Sequence, residues 1–542
     1  MTKPVWSNTS TTRIPGRKEM ERLVSVLRLR VLPANVWLGI GLAALSLGLT
    51  VLTWDRVTWW TADSFQYLRL GENLLGGRGH VTLEGTFNAF FPPVYPLALG
   101  LLDLVVHSPE ASGRAVSAVG SAVSVCIVFL VARRWFAVPV ALLGSVLYLG
   151  LPLRIWSSSW VMTEGLYTGL VWGAVLLALR SSPVAMLLAG CLVGLAFLAR
   201  PEGSLYLLVA LGLRILARPS SMTSLMRQSL LMVGAFSLVA LSYWTYLYTQ
   251  SGQWTIAGKL EFNLAWAHAV DEGLSLADIV RFDETALRPM LPDHAVSVAD
   301  IVSRYPRNVA MELERLSYLM GPSWLTLALL AFGVLGIIGI SPARQKPIHL
   351  CEQGLLILPL LVLPFLFISD RFLLSSLPVL CLWLGLGMLE MGRWCADRLG
   401  AGWWGGASAV GLATIVLTAY TARVVAVRPQ SLALETQVGQ TLRDYVTGGE
   451  RSRVGVMTSD PAIAYFAGQD WMALPSTDLD HALRYAEKLK ADYVVLRDSD
   501  PAWLQSEGLW RSSLTSFRVM PTRLSSQTTS VRILRMSTRE EQ

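Results

Sequence analysis

Charge is scarce in this sequence. Of 542 residues only 15% are Asp, Glu, Lys or Arg, while 53% are hydrophobic and the mean hydropathy is +0.47. Soluble domains must turn polar surface to water, so the composition excludes a chain of soluble modules. Cysteine is sparse too: Cys126, Cys191, Cys351, Cys381 and Cys395 lie in or beside apolar runs, and none has a CxxC partner. No disulfide framework or zinc knuckle is implied. The histidines, His80, His107, His268, His294, His349 and His481, lack HxxxH and HExxH spacing, so no histidine metal centre is expected. No A-x-A cleavage site follows the first apolar run, and no internal repeat is present. The net charge of +7 comes from Arg and Lys gathered in short breaks between apolar runs, which speaks for topology and against nucleic-acid binding.

What is present is a series of apolar runs, each of about 17–23 residues, the length that spans roughly 30 Å of hydrocarbon as helix. The expected crossings are 35–53, 111–132, 136–155, 161–179, 183–199, 203–217, 228–248, 321–341, 352–369, 371–391 and 404–424, with a short apolar segment at 93–107. An all-α polytopic membrane core follows, because open sheet cannot satisfy its backbone in lipid. Arg133-Arg134, Arg180, Arg214 with Arg218 and Arg227, Arg344 with Lys346, and Arg393 with Arg398 all read as cytoplasmic, as does the N-terminal segment 1–34. These assignments agree if 93–107 does not cross fully. Loops 54–92 and 249–320 and the tail 430–542 then lie together outside. In that tail, strand-like Val454–Thr458 and Tyr493–Leu496 alternate with helical 480–490, which predicts a small extramembrane α/β domain.

The chemistry is expected in the first outer loop, Trp59 to Pro96. Asp63 and Tyr67 are one helical turn apart and share a face, on a helix whose apolar side includes Phe65, Leu68 and Leu75. A carboxylate near a helix N-terminus has two readings, a simple cap or a reacting group, and spacing alone leaves both open. Glu164 opens an otherwise uncharged helix 161–179, again as a helix-start acid or a site residue. Arg371 follows Asp370 at the start of 371–391, either as an interfacial cation or as a phosphate ligand.

These stretches resemble the membrane glycosyltransferases of the GT-C fold, in particular the protein mannosyltransferase/aminoarabinose transferase-like family. The match is Asp63, then Tyr67, the Gly-rich turn Gly76-Gly77-Arg78-Gly79 and Pro92-Pro93-Val94-Tyr95-Pro96, followed in order by Met162–Tyr167, Leu195–Gly203 and Arg371-Phe372 leading to Pro378. It covers most of 35–425. The resemblance implies a GT-C-like core of about 11–13 transmembrane helices with an external C-terminal domain. It also implies transfer of a sugar from a polyprenyl-phosphate donor to a glycan, lipid or protein acceptor, at the outer face of a bacterial inner membrane. Asp63 and Glu164 would be the catalytic acids, with Tyr67, Arg78, Arg200, Lys259 and Arg371 as substrate or lipid-phosphate ligands. One displacement with one base and a cationic clamp inverts the anomeric centre. No cofactor is required, although a divalent ion held by Asp63 and the donor phosphate is compatible with the pattern.

The departures are specific. Ser64 and Gln66 stand where the aminoarabinose branch has Glu and Arg, and Phe91 where the two branches have Lys or His before Pro-Pro. Donor and acceptor therefore do not carry over. Two competing functions remain in view: a lipid or sugar transporter or flippase, and a non-catalytic membrane receptor or scaffold. The first should show related halves and mid-helix charges, whereas Asp63, Glu164, Lys259 and Arg371 map to the outer boundary. The second would rest on the tail, which has no nucleophile motif, metal spacing or phosphate loop. Asp478-Leu479-Asp480 and Asp498-Ser499-Asp500 lie in that tail where a helix start and a turn are expected. The proposed displacement needs base and phosphate cation around one anomeric carbon, so Asp63, Glu164 and Arg371 should converge on one cavity opening to the external face.

Overall fold

The computed structural model describes residues 33–57, 59–217, 221–258, 298–320, 346–365, 370–399, 403–426, 430–446, 453–475, 477–500, 517–525 and 530–536, with short pieces inside 282–289 and 324–334. Most of the N-terminal segment 1–34, the expected crossing 321–341 and Lys259 fall outside the described residues. The membrane part contains helices α1 (Ala34–Thr53), α2 (Ala62–Leu75), α3 (Val94–Val106), α4 (Pro109–Trp135), α5 (Val138–Gly150), α6 (Pro152–Ser159), α7 (Glu164–Ala178) and α8 (Pro183–Phe197). After a 3-10 turn at Pro201–Ser204 come α9 (Leu205–Leu216), α10 (Met222–Ser251), α11 (Val298–Leu319), α12 (Pro347–Val362), the short α13 (Asp370–Leu373), α14 (Leu377–Leu399) and α15 (Trp403–Ala426).

Six described helices, α1, α4, α10, α12, α14 and α15, are long and apolar enough to cross a bilayer, and α5 with α6 makes a seventh if counted as one bent span. Three expectations need correction. The crossing 136–155 is broken by 56° between α5 and α6, because Pro152 has no N–H to continue the ladder and forces Leu151 out of helical geometry (ψ 127°). Likewise 371–391 is not one helix: α13 carries Asp370 and Arg371, and a turn separates it from α14, whose Pro378 can sit only near a helix start. The expected loop 249–320 ends in a 22-residue helix, α11, whose amphipathic pattern mixes charge with apolar residues.

Helix α3, 13 residues long, starts and ends at the same end of the bundle. Its Val94 N–H donates to Leu198 O, close to Arg200. Beyond its last turn α4 begins, where Arg114 donates to the carbonyls of Trp54 and Ser159. At the far end of α4, Arg133 donates to Asn35 at the start of α1, and Arg134 and Trp135 hold the fully buried Glu352 at 2.6 and 2.8 Å. The expected grouping of Arg133-Arg134 with the N-terminal side therefore matches the geometry.

Small residues let the central helices touch. Ser112, Gly113, Ser117, Gly120 and Ser124 of α4 are buried, and Gly165 and Gly169 of α7 lie against them. Lipid offers no hydrophobic drive between helices, so such backbone contact supplies the packing.

The C-terminal unit contains α16 (Ala433–Val446), β1 (Gly455–Thr458), α17 (Pro461–Ala467), β2 (Asp470–Ala473), α18 (Leu479–Leu489), β3 (Tyr493–Arg497), β4 (Phe517–Ser525) and β5 (Ser530–Met536). The sheet order is β2-β1-β3-β5-β4, with β1 parallel to β2 and β3, and β5 antiparallel to β3 and β4. Strand alternation builds two cores. Val456, Tyr493 and Val495 face α16 and α17, while Met457, Val494 and Leu496 face α18. Asp478 caps α18 through its His481 N–H bond, which holds its carboxyl below the usual range. Asp500 closes a turn onto the Arg497 N–H. Asp478 and Asp500 thus serve local structure, as the spacing suggests.

A Cβ at position 120 would lie 2.6 Å from Leu166 Cα, a backbone atom that cannot rotate away. We expect Gly120→Val to destabilise the bundle by about 2 kcal/mol, read as a lower melting temperature of the detergent-solubilised protein. An unchanged melting temperature would mean that this helix contact is not tight.

Candidate active site

Asp63 lies in the first turn of α2 but is not its cap. Thr61 takes that role: its hydroxyl accepts from Ser64 N–H at 3.3 Å, and Ser64 Oγ accepts from Thr61 N–H at 3.3 Å. The Asp63 side chain is therefore left to face Arg371. Arg371 Nη1 and Nη2 each donate to Asp63 Oδ2 at 3.4 Å, long for charge-assisted bonds. On its other side, Arg371 Nε is 3.8 Å from Glu164 Oε1. That same oxygen accepts from Arg200 Nη1 at 2.5 Å, and Arg200 Nε reaches Glu202 at 3.5 Å. Thr163 precedes Glu164 but makes no side-chain cap.

The convergence expected of Asp63, Glu164 and Arg371 is present, and Arg200 joins it. Three separate pieces of chain besides α2 deliver these groups: the start of α7, the turn after α8, and α13. Exposure grades across the cluster. The Glu164 side chain is 1% exposed and Arg200 10%, whereas Asp63 and Arg371 are 25% and 29% exposed. Glu164 Oε2 is buried with no hydrogen-bond partner. The inner pair is thus sealed, and the outer pair is partly exposed.

Tyr67 lies one turn after Asp63, buried, with its ring edge-on to Phe91 and Tyr95 at 5.2 and 5.1 Å. Burial and then the nearby Asp63 and Glu164 charges push its phenol well above the usual value, so it stays protonated. The Tyr95 hydroxyl is already committed, donating to Gly113 O at 2.9 Å beside Ser117 Oγ at 2.8 Å. Arg78 is exposed on the Gly-rich turn, and no ion pair joins it to Asp63 or Glu164 among the described residues. It does not enter the cluster. Lys259 lies outside the described residues.

Sequence reading missed Glu202 and Met162, both at the cluster. Met162 Sδ accepts from Arg371 at 3.8 Å and from Thr61 at 3.6 Å. The Arg200-Pro201-Glu202 spacing could have signalled the first; a thioether between polar groups leaves no pattern. Among the described residues no group of three or more His, Cys, Asp or Glu could hold a metal. The cation facing Asp63 is a guanidinium.

Loop 76–93 walls the site. Gln66 accepts from Leu83 N–H at 2.9 Å and donates to Glu84 at 2.7 Å. Asn88 Oδ1 accepts from the N–H groups of Phe90 and Phe91 at 2.9 Å, and its amide meets His80 Nε2 at 2.8 Å.

No protein-family model matches this sequence, and no curated protein is similar to it. Among solved structures, the chain is similar to the archaeal oligosaccharyltransferase AglB from Archaeoglobus fulgidus in complex with an inhibitory peptide and a dolichol-phosphate. The TM-score is 0.55 at 14% identity, over 85% of this chain and 69% of that one. It is similar also to ArnT from Cupriavidus metallidurans bound to undecaprenyl phosphate, with a TM-score of 0.55 at 12% identity over 90% of this chain and 96% of that one. The fold is therefore that of the GT-C membrane glycosyltransferases. This is a multi-pass membrane protein with a helical GT-C core and a C-terminal α/β unit.

His80 supplies a pH prediction. Burial lowers its pKa from 6.5 to about 4, so the folded loop binds fewer protons than the unfolded chain between those values. Its contribution is complete above pH 6.5 and is lost as pH falls toward about 4. We expect amide protection across 80–91, measured against the intrinsic exchange rate at each pH, to fall as pH drops through that window and His80→Gln to flatten the response. Equal pH dependence in both proteins would remove His80 from this role.

Proposed function

We propose that the protein is a glycosyltransferase that moves a sugar from a polyprenyl-phosphate carrier to an acceptor hydroxyl, with inversion, at the external face of a bacterial inner membrane. The observation that carries this reading is the Asp63–Arg371–Glu164–Arg200 cluster at the end of a GT-C fold where the outer loop and the C-terminal unit meet. The two solved structures bound to dolichol-phosphate and to undecaprenyl phosphate support the donor class.

In this reading Asp63 is the base. The acceptor oxygen attacks the anomeric carbon, its proton passes to the Asp63 carboxylate, and the bond from that carbon to the phosphate oxygen breaks with the electron pair leaving on phosphate. Arg371 receives the growing phosphate charge. Arg200 is less suited, because Glu164 and Glu202 already engage it. The long 3.4 Å contacts between Arg371 and Asp63 give the pair a further use. A donor phosphate that draws Arg371 toward itself lengthens that contact further, so donor binding loosens the hold of Arg371 on the base. Glu164 anchors both arginines and Tyr67 offers a hydroxyl donor beside them. The donor tail should reach the site from within the bilayer.

Asp63→Asn keeps the shape and removes the base, and we expect turnover of a polyprenyl-phosphate sugar to fall by about 10²–10⁴. Arg371→Met should cost about 10²–10³. Full turnover in Asp63→Asn, or transfer from a nucleotide sugar with no lipid carrier, would overturn the reading.

A further inference from the structure

Helix α2 has 14 residues, near the length at which a helix alone is marginal in water, so its orientation depends on what packs against it. Asp63 and Tyr67 share one face. Phe65, Arg69 and Glu72 lie roughly 120–180° round the helix from Asp63, and this back face meets the C-terminal unit. The Phe65 ring is 5.6 Å from Tyr465 and 6.1 Å from Phe466. Arg69, 3% exposed, donates through Nη2 to Gln469 O at 3.3 Å. Its Nη1 is 3.6 Å from one Glu72 oxygen, and its guanidinium lies 5.5 Å over the Tyr465 ring. The Tyr465 hydroxyl donates to the other Glu72 oxygen at 2.9 Å. Beside this joint, Trp471 N–H donates to Leu83 O at 2.9 Å and Trp60 N–H to the Gln430 side chain at 3.0 Å.

Adhesion alone would not call for a buried arginine, since apolar contact achieves it without desolvating a charge. What the charged and hydrogen-bonded set adds is a fixed angle between α2 and the C-terminal unit. We propose that Arg69, Glu72 and Tyr465 are positioning residues that latch the C-terminal unit to the back of α2 and so hold Asp63 in register with Arg371. This inference rests on the reading of Asp63 as the base. The C-terminal unit is then a working part of the site rather than a cover for it.

Tyr465→Phe removes one hydroxyl and keeps the ring, and Glu72→Gln keeps the side-chain shape. In the full-length protein in lipid nanodiscs, each should lower kcat by about 10-fold, because small misplacement of a reacting group is costly. KM for the lipid-linked donor should stay within about 2-fold, and the double variant should lose little more than either single one, as expected within one network. Amide exchange across 62–75 should quicken about 10-fold while 164–178 stays unchanged. Tyr445→Phe, on the exposed side of α16, serves as the control with normal kcat and exchange. Unchanged exchange across 62–75 overturns the latch whatever the chemistry, and faster exchange with normal kcat overturns its positioning role. Full turnover in Asp63→Asn would instead sink the proposed base without altering the exchange result.

Discussion

A carboxylate sealed inside a membrane bundle is costly unless a cation lies beside it, and Glu164 has Arg200 at 2.5 Å. Much of the site follows from that pairing. It draws the turn after α8 onto the start of α7, and through the shared Glu164 oxygen it fixes the inner edge of Arg371. Removing Arg200 would leave Glu164 facing Arg371 Nε at 3.8 Å, and breaking a buried pair in this way costs about 3–5 kcal/mol. The pair is therefore a fixed floor. Asp63 and Arg371, which meet at 3.4 Å, make a longer contact above it.

The apolar runs made most helices legible, and the alternation in the tail made β1, β3 and α18 legible, because each pattern is a direct image of burial. The breaks at Pro152 and Pro378 were harder to see. Hydropathy averages over a window, and a proline in an apolar run barely changes the average while it removes a backbone donor. Helix α11 was read as loop because its charged positions dominate a segment that is only half apolar. Asp63, Glu164, Arg200 and Arg371 stood out for one reason, namely charge at the edge of long uncharged stretches. The partner of Glu72 could not be foreseen, since Tyr465 is 393 positions away and nothing in either local pattern points to the other.

The likeness to solved structures at 12–14% identity is consistent with how this core is held. Leu, Val and Ile exchange freely on helix faces that meet lipid or each other, so most positions carry little constraint. The constraint concentrates where backbones touch, as at Gly120 and Gly165, and where a buried charge must find its mate. A fold can therefore persist while its sequence drifts beyond ordinary recognition.

The departures from the resembled branches now have a physical content. Gln66, in the place of an arginine, spends its amide on Leu83 and Glu84 and so shapes loop 76–93. Phe91, in the place of a lysine or histidine, packs against Tyr67. Ser64 completes the cap of α2. Of the three positions, Gln66 and Phe91 serve the wall and Ser64 the cap of α2. On the proposed reading the polar contacts to the donor fall on Arg371 and Tyr67, which favours recognition of the carrier phosphate over a charged substituent on the sugar.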